Sequence, residues 1–171
     1  MRHILQGFTM YVDGVDFGID TEEVELPIPT PMTQEYRGGG QDLGATLPMA
    51  AIEALEITVK MAGHNVEVMK KMALAPGQTT RITFRGAVMR EQDGGIAAHV
   101  CIVEGAINGG TRDRWQRGEK SGIEFVVNGV KYFRYEADTD VIHELQVWPP
   151  KRIVNGVNQL SEVNAALGYA S

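Results

Sequence analysis

The feature that most constrains this chain is the segment AIEALEITVKMAG at residues 51–63. In it Leu55, Ile57, Val59 and Met61 alternate with Glu56, Thr58 and Lys60. A period of two sends successive side chains to opposite faces of a β-strand, so one face suits a core and the other suits water. Turn signals separate further strand-like runs. ILQGFTMYV and VDFGI flank Asp13-Gly14, and GIEFVV and VKYFRYEA flank Asn128-Gly129. Such dipeptides accept the positive φ that two-residue hairpins require. TTRITFRGAVMRE and GIAAHVCIVEGAI read as two strands joined through Asp93-Gly94-Gly95. TEEVELPI sets Val24, Leu26 and Ile28 against Glu23, Glu25 and Pro27, and prolines 27, 29 and 31 break the run. VIHELQVW is a further strand, closed by Pro149 and Pro150.

Two segments follow helical spacing instead. HNVEVMKKMAL carries Val66, Met69, Met72 and Leu74 on one stripe. NQLSEVNAALG carries Leu160, Val163 and Leu167, with Asn158 in place to cap its start and Gly168 its end. Many strands with short helices predict a mainly β fold, a β-sandwich or barrel with a flanking short helix.

At 171 residues the chain is expected to form a single domain, residues 1–171, long enough to enclose a real core. Sixteen basic against 22 acidic side chains give a net charge of −6, which disfavours nonspecific nucleic-acid binding. The imbalance is local: residues 1–60 hold ten acids and three bases, net −7, and the remainder holds twelve acids and thirteen bases, net +1. Six of the acids and no base lie between Asp13 and Glu25. The one cysteine, Cys101, excludes an internal disulfide framework and suits a reducing cytoplasm. The opening MRHILQGFTMYVDG has too short an apolar stretch for a signal peptide, and no apolar run approaches the ~20 residues of a membrane helix, so no membrane anchor is expected.

EYRGGGQDLG at residues 35–44 invites a phosphate-loop reading, which its spacing rejects. A Walker loop needs Lys-Ser/Thr after its last glycine, and here Gly40 is followed by Gln41, Asp42 and Leu43. A dinucleotide fingerprint needs a third glycine at position 43 and a following helix, and neither is present. The segment reads as a surface loop. Catalytic constellations are thin. His99 and Cys101 share a strand face, but a structural zinc site needs four ligands and there is one cysteine. No G-x-S-x-G elbow surrounds Ser121 or Ser161. The acid pairs Glu22/Glu23 and Asp138/Asp140 fall in polar, turn-like stretches. No cofactor, metal or catalytic group is expected. TRDRWQRGEK mixes Trp115 and Arg117 with other cations, diluted by Asp113 and Glu119, and fits a protein contact surface at least as well as a nucleic-acid patch.

Taken in order, YVDGVDFGIDTEEVELP, EYRGGG, ALEITVKMAG, WQRGE and VNGVNQLSEVNAALG resemble the major tail tube protein of contractile-tailed bacteriophages, a family that includes the tubes of phage-derived bacteriocins. The resemblance runs nearly end to end, with local departures at LPIPTPMTQ, GGIAAHVCIVEG and TRDRWQR. It implies a structural protein and not an enzyme. By that resemblance six copies would form a ring, rings would stack into a hollow tube, and a contractile sheath would surround it. Its partners would be further copies of itself, the sheath, the baseplate and a tail terminator. DNA would pass through without specific binding. Assembly would take place in the host bacterial cytoplasm, and the finished protein would sit in the virion tail. The hexameric tube of type VI secretion is a related alternative, and a β-sandwich binding module is one of a different class. Within the tube reading, Tyr36, Arg37, Gly38, Gly39 and Gly40 become candidates for contact between subunits, as do Trp115 and Arg117. The glycines would serve through backbone freedom at positive φ or close approach of a neighbour. Glu23 and Glu25, which share one strand face, become candidates for the lumen wall.

Overall fold

A computed structural model describes residues 2–40, 42–72 and 75–169. Twelve strands and two helices follow in the order β1 (His3–Val12), β2 (Val15–Asp16), β3 (Thr21–Glu25), β4 (Pro31–Tyr36), β5 (Ala45–Ile52), β6 (Ile57–Ala62), α1 (Val66–Lys70), β7 (Thr80–Arg90), β8 (Ile96–Arg112), β9 (Gly122–Ala137), β10 (Asp140–Gln146), β11 (Lys151–Val154), β12 (Val157–Asn158) and α2 (Ser161–Leu167). The fold is mainly β, and every strand pair is antiparallel.

The expected hairpin at Asp13-Gly14 forms, with φ of 48° and 85° at the two turn residues. The pairing β12-β11-β10-β9-β8-β7-β1-β2 makes the main sheet, and β6 joins it on β9 with β3 on its far side. Strand β9 is the organiser. One of its edges pairs with β8, while the other pairs first with β6 (Gly122–Val127) and then with β10 (Tyr132–Ala137).

This division explains why Asn128-Gly129 does not turn the chain. The expected hairpin there is wrong: β9 continues through it as one strand. Its residues 129–131 face a single residue of β8, Gly105, between the pairs Ala106↔Asn128 and Glu104↔Tyr132. The positive φ of Gly129 (58°) therefore serves a bulge, which bends β9 as it passes from one partner to the next. A side chain on Gly105 would sit 3.0 Å from Val127 and 3.1 Å from the carbonyl oxygen of Asn128, so the bulge needs the glycine opposite it.

The alternation of residues 55–62 reads directly into packing. Ile57, Val59 and Met61 are all but fully buried, and Leu55 packs at the margin. They meet Met10 and Val12 from β1, Ile82 and Phe84 from β7, and Phe125 and Phe133 from β9 in one core cluster. The inner faces of β6 and of β1–β7–β8 belong to the same cluster, so the sheet curls until they oppose each other. Helix α1 is capped by Asn65, whose Oδ1 accepts from Glu67 N at 3.0 Å, and it closes this core through Val68. The stripe expected on Val66 and Met69 is shifted. Val68 and Met72 turn inward and Val66 is exposed, because the Asn65 cap sets the helix phase; Leu74 lies outside the described residues.

Helix α2 departs further from expectation. Val163 and Leu167 face solvent, and the buried residue is Asn164, which donates from Nδ2 to the Pro150 carbonyl at 2.7 Å. The N-cap is Leu160 and not Asn158, although Asn158 Oδ1 does accept from Leu160 N. Gly168 ends the helix in the left-handed conformation as expected.

Candidate assembly surfaces

Strands β4 and β5 form a sheet of their own, paired Thr33↔Pro48, Gln34↔Leu47, Glu35↔Thr46 and Tyr36↔Ala45. Nearly every residue in this hairpin is exposed, which makes it an arm projecting from the body. Period two divides its faces. Thr33, Glu35, Thr46 and Pro48 occupy one, and Gln34, Tyr36, Ala45 and Leu47 the other. Tyr36 is 55% exposed and Leu47 49%, and Met32 and Met49 near the root are similarly open. A lone two-stranded hairpin is marginal in water at best. The arm thus carries exposed apolar side chains, Tyr36, Leu47, Met32 and Met49.

The glycine segment forms the tip of this arm. Arg37 donates from Nη2 to the Asp42 carbonyl at 3.0 Å, so the arginine closes the tip within the chain. Gly39 and Gly40 do not adopt positive φ, which corrects one of the two reasons for glycine here. A Cβ at either position would meet nothing within 4 Å. Gly38 sits between Arg37 and this open stretch. Strand β5 is an element that period-two reading missed. ATLPMAAI has no polar alternation and contains Pro48, yet two runs flanking a Gly-rich loop were themselves a hairpin signal.

Glu23 and Glu25 both point outward from β3, while Val24 between them packs on the core. Register extends their face across the sheet. Glu23 lies opposite Lys60, and Lys60 opposite Glu124; Glu25 lies opposite Thr58, and Thr58 opposite Val126. Lys60 therefore stands in a row between two glutamates. Glu22 pairs instead with Lys120 in the loop between β8 and β9.

That loop carries Trp115 and Arg117, both exposed. Trp115 donates from Nε1 to His64 Nε2 at 2.9 Å, and the two rings meet edge to face at 5.6 Å. The arm and this loop are separate features, so the candidate contact residues fall into two groups. A third exposed apolar group escaped the sequence reading. Trp148 and Tyr169 stack edge to face at 5.2 Å beside the outward Leu167.

The reactive-looking groups have structural explanations. His99 Nδ1 lies 2.8 Å from the Tyr135 hydroxyl, and Cys101 is buried, which pushes its thiol up to about 12. Asp138 accepts from Ala98 N at 2.9 Å in the β9–β10 turn. Among the described residues no three His, Cys, Asp or Glu side chains gather as a metal site. No helix there is long and apolar enough to cross a membrane. A cleft of about 410 Å³ opens under the arm root, between Ala51–Leu55 and the β9–β10 strands.

The described residues thus form a curled antiparallel sheet with an exposed two-stranded arm. The chain matches the family described as phage tail tube protein FII over residues 2–168 and belongs to it. It is a structural protein of the tail-tube class. Its fold is similar to a chain in the sheath–tube complex of an extracellular contractile injection system (PVC) in the extended state. That match has a TM-score of 0.54 at 13% identity, covering 77% of this chain and 88% of that one. A chain in the sheath/tube terminator structure of the same kind of system matches with a TM-score of 0.54 at 12% identity, covering 77% of this chain and 94% of that one. No curated protein sequence matches this chain.

Proposed function

We propose that copies of this protein, each a single tube domain, form rings of six that stack into the hollow inner tube of a contractile tail. The observation that carries the reading is the arm. It needs a partner surface to bury Tyr36 and Leu47, and a head-to-tail contact between identical chains closes a ring or continues a filament according to its rotation. The count of six follows the family resemblance. The role is structural throughout, with the sheath outside and a baseplate and terminator at the ends, and the subunits are made and assembled in the bacterial cytoplasm. The solved chains it resembles come from sheath–tube and sheath/tube terminator complexes, which supports the sheath and the terminator as partners.

Glu23 and Glu25 face the lumen. Six chains at −6 carry −36 per ring, and an acidic wall repels DNA phosphates and lets the polymer slide. Sedimentation at rising concentration, with negative-stain microscopy, tests the assembly. Rings or tubes are expected, and a strict monomer at high concentration would refute it. A second reading has its own support, because two similar solved chains come from an extracellular contractile injection system. In that case the tube pierces an envelope without carrying a genome. DNA content of purified particles separates the two.

A further inference from the structure

We propose that a neutral His64 latches the β8–β9 loop to the body of the protein, and that acid opens the latch by releasing Trp115 while keeping Ser121. Two donors from the loop converge on one ring nitrogen. Trp115 Nε1 lies 2.9 Å from His64 Nε2, and Ser121 Oγ lies 3.3 Å from the same atom. An indole N–H can only donate. Nε2 must therefore present its lone pair, which places the neutral ring's proton on Nδ1 and makes Ser121 the second donor.

Protonation of the ring then has one destination. The added proton goes to Nε2, the nitrogen without one, and an N–H now faces the indole N–H. The two loop residues respond differently. A serine hydroxyl rotates and accepts from the new N–H, but an indole has no such option and loses its bond. Histidine is the side chain suited to make this exchange between mild alkali and mild acid. The loop base stays attached in either state, because Gly63 N donates to the Ser121 carbonyl at 3.1 Å and Asp113 Oδ2 accepts from Gly122 N at 2.8 Å.

The surrounding charges are largely engaged with one another. Ahead of β3, Asp20 accepts from Asn65 Nδ2 at 2.9 Å, and from β3 Glu22 pairs with Lys120 of the loop. From α1, Glu67 pairs with Lys70 at 2.8 Å and Lys71 reaches Asp13. The loop itself adds Arg114, Arg117 and Glu119, the last accepting from Gln116 Nε2 at 3.1 Å. The segment set free carries Trp115 and Arg117, so a contact made by the latched loop becomes conditional on pH.

The switch lies within one chain, and its test needs no assembly. In a Trp148→Phe background Trp115 is the sole indole. Its fluorescence should change reversibly between pH 8 and pH 5 as a one-proton transition, with the far-ultraviolet circular dichroism unchanged. His64→Gln should abolish the transition, and Ser121→Ala should retain it. In the wild-type protein, ring-nitrogen NMR should report His64 Nε2 unprotonated at pH 8. The Trp115 indole proton should lose its hydrogen-bonded shift as His64 gains its second proton. Trp115 signals that stay constant while His64 titrates overturn the proposal. So does a His64 that takes up no second proton by pH 5, or the same transition in the His64→Gln protein.

Discussion

Arg152 donates from Nη1 to the carbonyl oxygen of Ala50 at 2.8 Å, joining residues 102 apart in sequence. The bond fastens the root of the β4–β5 arm to β11, across the cleft under the arm. The remaining arm is held by its own ladder and by Glu53 N donating to the Thr30 carbonyl at 2.9 Å. Arg152→Met should therefore loosen the arm more than the body. The loss in global stability should be about 1 kcal/mol, the net worth of one hydrogen bond. Hydrogen exchange checks the asymmetry: Ala45–Ile52 amides should exchange faster while those of β8 and β9 are unchanged.

Gly39→Val should leave the isolated subunit intact. A Cβ there has no neighbour within 4 Å and the backbone is not at positive φ, so neither clash nor strain arises within the chain. The bulk is felt only if another copy approaches the tip. The expected result is a soluble monomer with an unchanged melting temperature that fails to polymerise. A large fall in melting temperature with tubes still forming would place the role of this glycine inside the subunit.

Replacing Glu23 and Glu25 together by Lys should be tolerated by the fold, since both side chains point away from the core. A lysine at position 23 would face Lys60 directly across the strand pair. Like charges so placed cost roughly 0.2–1 kcal/mol. Particles should still assemble, and DNA ejection should slow, with added salt relieving the defect through screening. A structure of the tube with both side chains on its outer surface would rule out the lumen assignment.

Cys101 should resist thiol reagents at pH 8 in the folded protein and react once it is denatured. Burial raises its thiol from an ordinary value of 9.0 to about 12. The native state therefore keeps its proton where the unfolded chain gives it up. The resulting stability is complete below about pH 9 and is lost as pH rises from there toward 12. Its slope is at most about 1.4 kcal/mol per pH unit. Denaturant titrations of the wild type and Cys101→Ala should diverge in their pH dependence above pH 9 and run parallel below it.

By itself, the sequence determined what depends on neighbours along the chain. The alternation through Ile57, Val59 and Met61 dictated a strand with one buried face, because a pleated backbone has no other way to separate those side chains from Thr58 and Lys60. Asp13-Gly14 dictated a reversal, and Gly168 a helix end, since both need a positive φ that few residues accept. The outward placement of Glu23 and Glu25 was also legible, as a consequence of the same period of two. Tertiary structure decided whatever depended on pairing. Asn128-Gly129 carries the same local signal as Asp13-Gly14. It became a bulge because β9 has to serve β6 and then β10 along one edge. Helix α2 turned its leucine and valine outward because the Pro150 carbonyl, supplied from the β10–β11 connection, offered Asn164 a partner inside. His64 gained Trp115 and Ser121 through β6–β9 pairing, which carries Ser121, 57 residues away, to the end of β6. Local preference is a property of a few residues, but the partner of a strand edge or a buried polar atom is set by the whole sheet.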